Sequence, residues 1–132
     1  MKILVAEDDK VSRDFLSRFL SPYGVCDPVI DGLEALDALF IAMKENKPYD
    51  LVCLDIMMPK VDGVRVLKAI RDMEKQKGML PEKRSKVIIT TALAGSDFID
   101  KAWDIGCDSC IEKPIDTELL ISEIKRLGLI SE

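Results

Sequence analysis

Leu51-Val52-Cys53-Leu54-Asp55 is the stretch on which the fold turns. Four apolar residues follow one another without polar alternation, and a carboxylate ends the run. A strand with one wet face would alternate. An unbroken run fits a strand covered on both faces, as in the middle of a parallel sheet. The flanks agree. Upstream, Leu33, Leu36, Leu39, Phe40 and Met43 mark a helical stripe over Gly32 to Lys44, closed by Asn46 to Pro48. Downstream, Val66, Leu67, Ile70 and Met73 mark another over Asp62 to Lys75.

The same alternation runs to both ends. Ile3 to Ala6 reads as a strand and Lys10 to Leu20 as a helix that Pro22 and Gly24 close. Val25 to Ile30 reads as a strand interrupted by Pro28, which cannot donate to a ladder and so belongs at a sheet edge. Gln76 to Lys86 is a long polar loop with Gly78 and Pro81. Val87 to Thr91 is a strand, Ser96 to Ile105 a helix ending at Gly106, and Ser109 to Glu112 a strand. Thr117 is the expected N-cap of a last helix with Leu119, Leu120, Ile121, Ile124 and Leu127 inward. Five strand-helix units predict an α/β fold with a five-stranded parallel sheet and helices on both faces. One domain over 1–132 is expected.

Bulk composition narrows the function classes. The chain has 132 residues, 48% hydrophobic and 33% charged, with a formal net charge of -5. A core can form, and direct nucleic-acid binding is disfavoured. No apolar run reaches the roughly 18 residues of a membrane span, and Ile3 to Ala6 is too short for a signal peptide. The cytoplasm is the expected location. Cys107 and Cys110 have C-x-x-C spacing, but a zinc site would want two more ligands and the chain has no histidine. Buried or incidental thiols in a reducing compartment are expected.

In an open parallel sheet, ligands bind beyond the carboxyl ends of the strands. There the sequence puts Glu7-Asp8-Asp9, Asp55, Thr90-Thr91 and Lys113-Pro114. Each alone has an ordinary explanation: a helix N-cap, a turn residue, a strand former, a loop. Together they make a site of crowded carboxylates, a hydroxyl and one ammonium. Crowded carboxylates repel unless a cation neutralises them. An all-oxygen set prefers Mg2+, or Mn2+, over Zn2+. A carboxylate can be the nucleophile that forms an acyl phosphate, with the metal and the lysine offsetting phosphoryl charge.

At this point the chain resembles the receiver domains of two-component response regulators, of the chemotaxis type. The matching segments are Ile3-Leu4-Val5-Ala6-Glu7-Asp8-Asp9, Leu54-Asp55-Ile56-Met57-Met58-Pro59 with Asp62-Gly63, Thr91-Ala92, and Lys113-Pro114. The resemblance implies a flavodoxin-like fold with strand order 2-1-3-4-5. It implies Asp55 as phosphoacceptor, and Asp8, Asp9 and Asp55 as metal ligands, Asp9 directly and Asp8 partly through water. Met57 would give the metal its backbone carbonyl. Thr91 would contact the phosphoryl group and move on activation, and Lys113 would pair with the phosphoryl oxygens. Lys113-Pro114 is expected to be cis, and Gly63 fits the turn after the acceptor loop. One departure stands out: the family's Tyr or Phe on the fifth strand is Cys110 here, so coupling must use smaller side chains or backbone shifts.

The implied function is a Mg2+-dependent signalling switch, not an enzyme beyond its own phosphorylation and dephosphorylation. Its expected partners are a sensor histidine kinase or phosphotransfer protein and a downstream effector, with no membrane insertion, as a monomer or weak dimer. The readout surface would be the fourth helix, fifth strand and fifth helix, with Trp103 and Cys110. A receiver belonging to a hybrid kinase and a docking-only receiver are the alternatives. An aspartyl-nucleophile hydrolase would want an Asp where Met57 stands. A flavin-binding domain would want a Gly- and hydroxyl-rich loop where Glu7-Asp8-Asp9 would repel phosphate.

Overall fold

The computed structural model describes residues 1–92 and 97–131. Along the chain run β1 (Lys2–Ala6), α1 (Lys10–Leu20), β2 (Val25–Val29), α2 (Gly32–Lys44), β3 (Leu51–Asp55), α3 (Gly63–Gln76), β4 (Lys86–Thr91), α4 (Asp97–Ile105), β5 (Ser109–Glu112) and α5 (Thr117–Arg126). The strands form one sheet in the order β2-β1-β3-β4-β5, and every pairing is parallel. The α/β class, the strand order and the edge position of the Pro28 strand are as the sequence implied.

Side-chain alternation splits the apolar residues between the two faces. Leu4, Ala6, Val52, Leu54, Val87 and Ile89 pack with Ala35, Leu39, Val66, Leu67, Ile70 and Ala102 of α2, α3 and α4. Ile3, Val5, Leu51, Cys53, Ile88 and Ile111 pack with Leu16, Leu20, Leu120 and Ile124 of α1 and α5. All five residues of β3 are buried, the physical reason for the unbroken apolar run. Each fully buried Leu or Ile contributes roughly 1.5–3 kcal/mol of transfer free energy.

Helix ends follow capping chemistry. The Asp31 and Asp62 carboxylates accept from the amides of Glu34 and Arg65 at 2.9 and 3.0 Å. Asp62 is therefore the cap of α3 and not its first residue. At α5 the cap is Asp116, whose Oδ1 accepts from Glu118 and Leu119. Thr117, the expected cap, is the first helical residue. The carboxylate one position earlier takes the Leu119 amide, one of the two that a Thr117 cap would reach. The expected start of α4, Ser96, lies outside the described residues. The polar loop carries a short 3-10 turn at Pro81–Lys83.

Gly63 has a specific steric task. A Cβ there would lie 2.3 Å from the Asp55 carbonyl oxygen and 2.8 Å from Ile56 Cα. Its amide donates to Ile56 O at 2.8 Å. The start of α3 is thus held directly against the end of β3, the position from which Asp55 projects.

Candidate functional site

Parallel register brings separate segments to one sheet edge. Ala6 pairs with Leu54, Asp55 with Thr90, and Thr91 with Glu112. The next residues out are Glu7, Ile56, Ala92 and Lys113. Thr91 is buried at the end of β4, and its carbonyl accepts from Lys113 N at 2.7 Å. The Lys113-Pro114 peptide is cis.

The site is built around one ammonium between two buried carboxylates. Lys113 Nζ lies 2.7 Å from Glu7 Oε2 and 3.3 Å from Asp55 Oδ2. Glu7 is 1% exposed and Asp55 5%, so neither charge is relieved by bulk water. Asp8 is exposed, and it presents an oxygen to the same spot. Ligand oxygens of Glu7, Asp8 and Asp55 all lie within 4.8 Å of one another. Arg13 braces the backbone here, its Nη1 donating to the carbonyls of Glu7 at 2.9 Å and Asp8 at 3.2 Å.

Electrostatics follow from crowding. Burial raises the pKa of Asp55 to about 6, with the Glu7 charge adding to the rise, while Lys113 and the Met57 amide hold it down. Burial opposes the Lys113 ammonium, but its hydrogen bond to Glu7 and the charge of Asp55 outweigh that and raise its pKa. The site holds more negative charge than one lysine can offset.

Asp9 does not join this group. Its Oδ2 accepts from Ser12 N at 2.9 Å, capping α1, and that bond lowers its pKa. One of its oxygens is thus committed to the helix amide, although the Lys113 charge still reaches it. The pair at the site is Glu7-Asp8, one residue earlier than the sequence reading placed it. The signal was present: Asp9 stands directly before the Lys10 helix and three residues before Ser12, the N-cap spacing. The buried role of Glu7 was missed for the same reason. At Met57 the side chain is 54% exposed, and the amide donates to Asp55 Oδ1 at 3.3 Å.

The donor set fits a hard divalent cation. It is oxygen-only, it carries surplus negative charge, and burial together with the neighbouring Glu7 charge raises the pKa of Asp55. No candidate cluster among the described residues contains a thiol. The four cysteines are free, and burial raises the thiol pKa values of Cys107 and Cys110.

Beside Lys113 lies an apolar skirt. Val11 and Phe15 of α1 are 77% and 44% exposed. With Pro114 and Ile115 they line a depression of about 290 Å³. Trp103 of α4 is 48% exposed, so it is not a core residue.

Comparison with known proteins gives a consistent answer. The sequence profile of the response regulator receiver domain matches residues 3–125. The Treponema pallidum chemotaxis protein CheY is 30% identical over 125 residues, covering 93% of this chain and 79% of that protein. Three hybrid signal transduction histidine kinases of Dictyostelium discoideum are 31% to 37% identical over 95% to 99% of this chain. The chain spans only 4% to 7% of their length. Among solved structures, the receiver domain of yeast Ssk1, crystallised with the histidine phosphotransfer protein Ypd1, has a TM-score of 0.81 at 24% identity. That alignment covers 97% of this chain and 88% of the other, and it supports the fold.

Proposed function

Because the chain belongs to the response regulator receiver family, we propose that it is a single receiver domain over 1–132 that accepts a phosphoryl group on Asp55. An Asp55 carboxylate oxygen forms the new P–O bond, and the bond to the donor's leaving group breaks. With a phosphohistidine donor that group is an imidazole nitrogen; with acetyl phosphate it is acetate. The donor is a sensor histidine kinase or phosphotransfer protein, since the chain has no histidine of its own.

The observation that carries this reading is Asp55 itself. It is a buried carboxylate, pushed up to about 6, with Glu7 and Asp8 beside it and a lone ammonium within reach. Glu7, Asp8, Asp55 and the Met57 carbonyl would hold Mg2+, or Mn2+. When bound, the cation supplies charge neutralisation for the carboxylates and the phosphoryl oxygens. Lys113 pairs with a phosphoryl oxygen, leaving part of its present contact with Asp55. The Thr91 hydroxyl binds another and moves toward it. Asp9 stays at the helix cap.

The acyl phosphate adds roughly -1.5 to -2 charges by analogy with other phosphorylated side chains. The resulting shift reaches the surface of α4, β5 and α5 through Thr91 and small groups, since Cys110 stands where an aromatic would swing. Signalling follows by partner binding or by onward transfer, and autodephosphorylation ends it. The apolar skirt of Val11, Phe15, Pro114 and Ile115 suits an apolar partner surface approaching Asp55. The switch acts in the cytoplasm as a monomer or weak dimer in this reading; no helix among the described residues is long and apolar enough to cross a membrane.

The test is incubation with acetyl phosphate or beryllofluoride, with and without Mg2+, followed by intact mass and Trp103 fluorescence. One phosphoryl adduct should form only with the cation, and Asp55→Asn should abolish it. A folded, Mg2+-binding protein that takes no adduct would leave a docking-only role.

A further inference from the structure

The sheet edge opposite Asp55 carries a different kind of surface. The segment from Lys75 to Lys86 holds five cations, Lys75, Lys77, Lys83, Arg84 and Lys86, against one carboxylate, Glu82, in a chain of net charge -5. Among the described residues none of the five is in an ion pair with a carboxylate. Three of them, Lys75, Arg84 and Lys86, line a groove of about 590 Å³ with Pro81 and Ile105. Two carboxylates also line it, Asp72 and Asp108, and both are already committed, to Lys68 at 3.3 Å and Arg71 at 2.9 Å.

The floor of the groove is fixed in advance. Arg71 Nη1 donates to Ser85 O at 2.9 Å, the Ser85 amide donates to buried Glu74 at 2.7 Å, and Ser85 Oγ donates to Tyr49 O. Cations and two apolar residues lining a groove with a hydrogen-bonded base make a preorganised receptor, for which little ordering cost remains.

We propose that this groove docks an acidic peptide segment of a partner protein. Carboxylates of the segment meet Lys75, Arg84 and Lys86, and an apolar side chain rests on Pro81 and Ile105. Leu80, 58% exposed on the same loop, extends the apolar contact. Charge complementarity selects the partner: this is a concentrated positive patch on a negative molecule. Pro81 and Ile105 in the lining offer an apolar contact that a sugar-phosphate chain does not use, so a peptide carrying both carboxylates and an apolar side chain fits better than nucleic acid. A concave groove also suits a chain better than a flat anionic membrane. The proposal does not depend on phosphoryl transfer at Asp55.

The experiment uses the whole chain and a fluorescein-labelled peptide of Glu and Leu residues, read by anisotropy, with amide shifts mapped on wild-type protein. Binding should saturate, weaken with added salt, and shift Lys75, Arg84 and Ile105. Lys75→Glu/Arg84→Glu should weaken it roughly tenfold or more, as lost charge pairs at interfaces do. Arg18→Glu/Lys101→Glu, with the same change in net charge on α1 and α4, should bind as wild type. Equal loss in both double variants, shifts confined to other surfaces, no saturable binding, or tighter binding of oligothymidylate or phosphatidylserine vesicles would each overturn the proposal. The shift map on wild-type protein decides even if the groove variant misfolds.

Discussion

Two buried polar clusters sit at opposite edges of the same sheet, and they are built on different terms. At the lower edge, Arg71 donates at 2.7 to 2.9 Å to Glu74, Ser85 O, Gly106 O and Asp108. Glu74 and Asp108 also accept the amides of Ser85 and Val87 at 2.7 and 2.8 Å. At the upper edge, among the described residues, Asp55 has two long contacts, both 3.3 Å, while Glu7 shares Lys113 with it and accepts the Asp9 amide at 3.2 Å. The residue types are nearly the same. What differs is whether the lone pairs are used up. A satisfied network can only stabilise, whereas surplus buried charge leaves room for a cation and a phosphoryl group.

The sharpest way to break this comparison is to remove the lower cation. Arg71→Met leaves fully buried Glu74 without its ammonium-like partner. Loss of one partner from a buried pair costs about 3–5 kcal/mol, which urea denaturation would read directly. The folded fraction should still take a phosphoryl group on Asp55. A loss below about 1 kcal/mol, the range of exposed pairs, would mean that the two edges are not so different.

Gly63→Ala should come next, because it strains the upper edge through the backbone. The added methyl meets the Asp55 carbonyl and Ile56 Cα, neither of which is a flexible side chain. Overpacking of this kind costs about 1–3 kcal/mol. It should also slow adduct formation beyond what the stability loss explains, since Asp55 itself is displaced. A variant with full phosphorylation rate would show that the close approach positions only the helix.

A smaller effect is expected from pH. Asp55 has its pKa raised from the ordinary 3.8 to about 6. Between these values the folded chain keeps a proton that the unfolded chain has released. The contribution of Asp55 to stability is therefore fully present below pH about 4 and is lost as pH rises through about 6. Without divalent cation, the wild-type melting temperature should fall relative to Asp55→Asn across that window, by a few degrees, and stay level above it. Mg2+ should close the gap near neutral pH by binding the folded wild type. A difference that does not vary with pH would remove the electrostatic crowding from the account.

The upper edge was more legible in sequence than the lower. Strands that end in carboxylates, a hydroxyl or a lysine announce a site once the sheet is known to be parallel. The apolar run of β3 and the proline of β2 make the sheet readable from local pattern alone. The lower cluster joins Arg71 to Ser85 and Asp108, residues far apart in sequence whose meeting depends on packing between α3 and the starts of β4 and β5. Only the three-residue step from Arg71 to Glu74 on α3 hinted at it. Caps were misread by one residue where two capping types adjoin, at Asp116 and Thr117. The same one-residue ambiguity set the acidic pair at Asp8-Asp9 when the structure gathers Glu7 and Asp8.

That ambiguity can be sharpened with a pair of variants whose effects on stability are the smallest of all. Asp9→Ala removes the acceptor for the Ser12 amide, so it should lower the melting temperature slightly while leaving Mg2+ affinity within about twofold, the cost being a helix cap and not a ligand. Asp8→Ala removes an exposed carboxylate that has an oxygen in the cluster with Glu7 and Asp55. It should leave the melting temperature of the cation-free protein unchanged or raised, because it relieves repulsion, yet weaken Mg2+ binding by roughly tenfold or more, as loss of a charged ligand from a hard-cation site does. Trp103 fluorescence or calorimetric titration reads the affinity, and thermal melts read the cap. If Asp9→Ala instead lost the metal and Asp8→Ala kept it, the carboxylate seen at the helix end would have to turn inward when the cation binds, and α1 would have to give up its cap to do so.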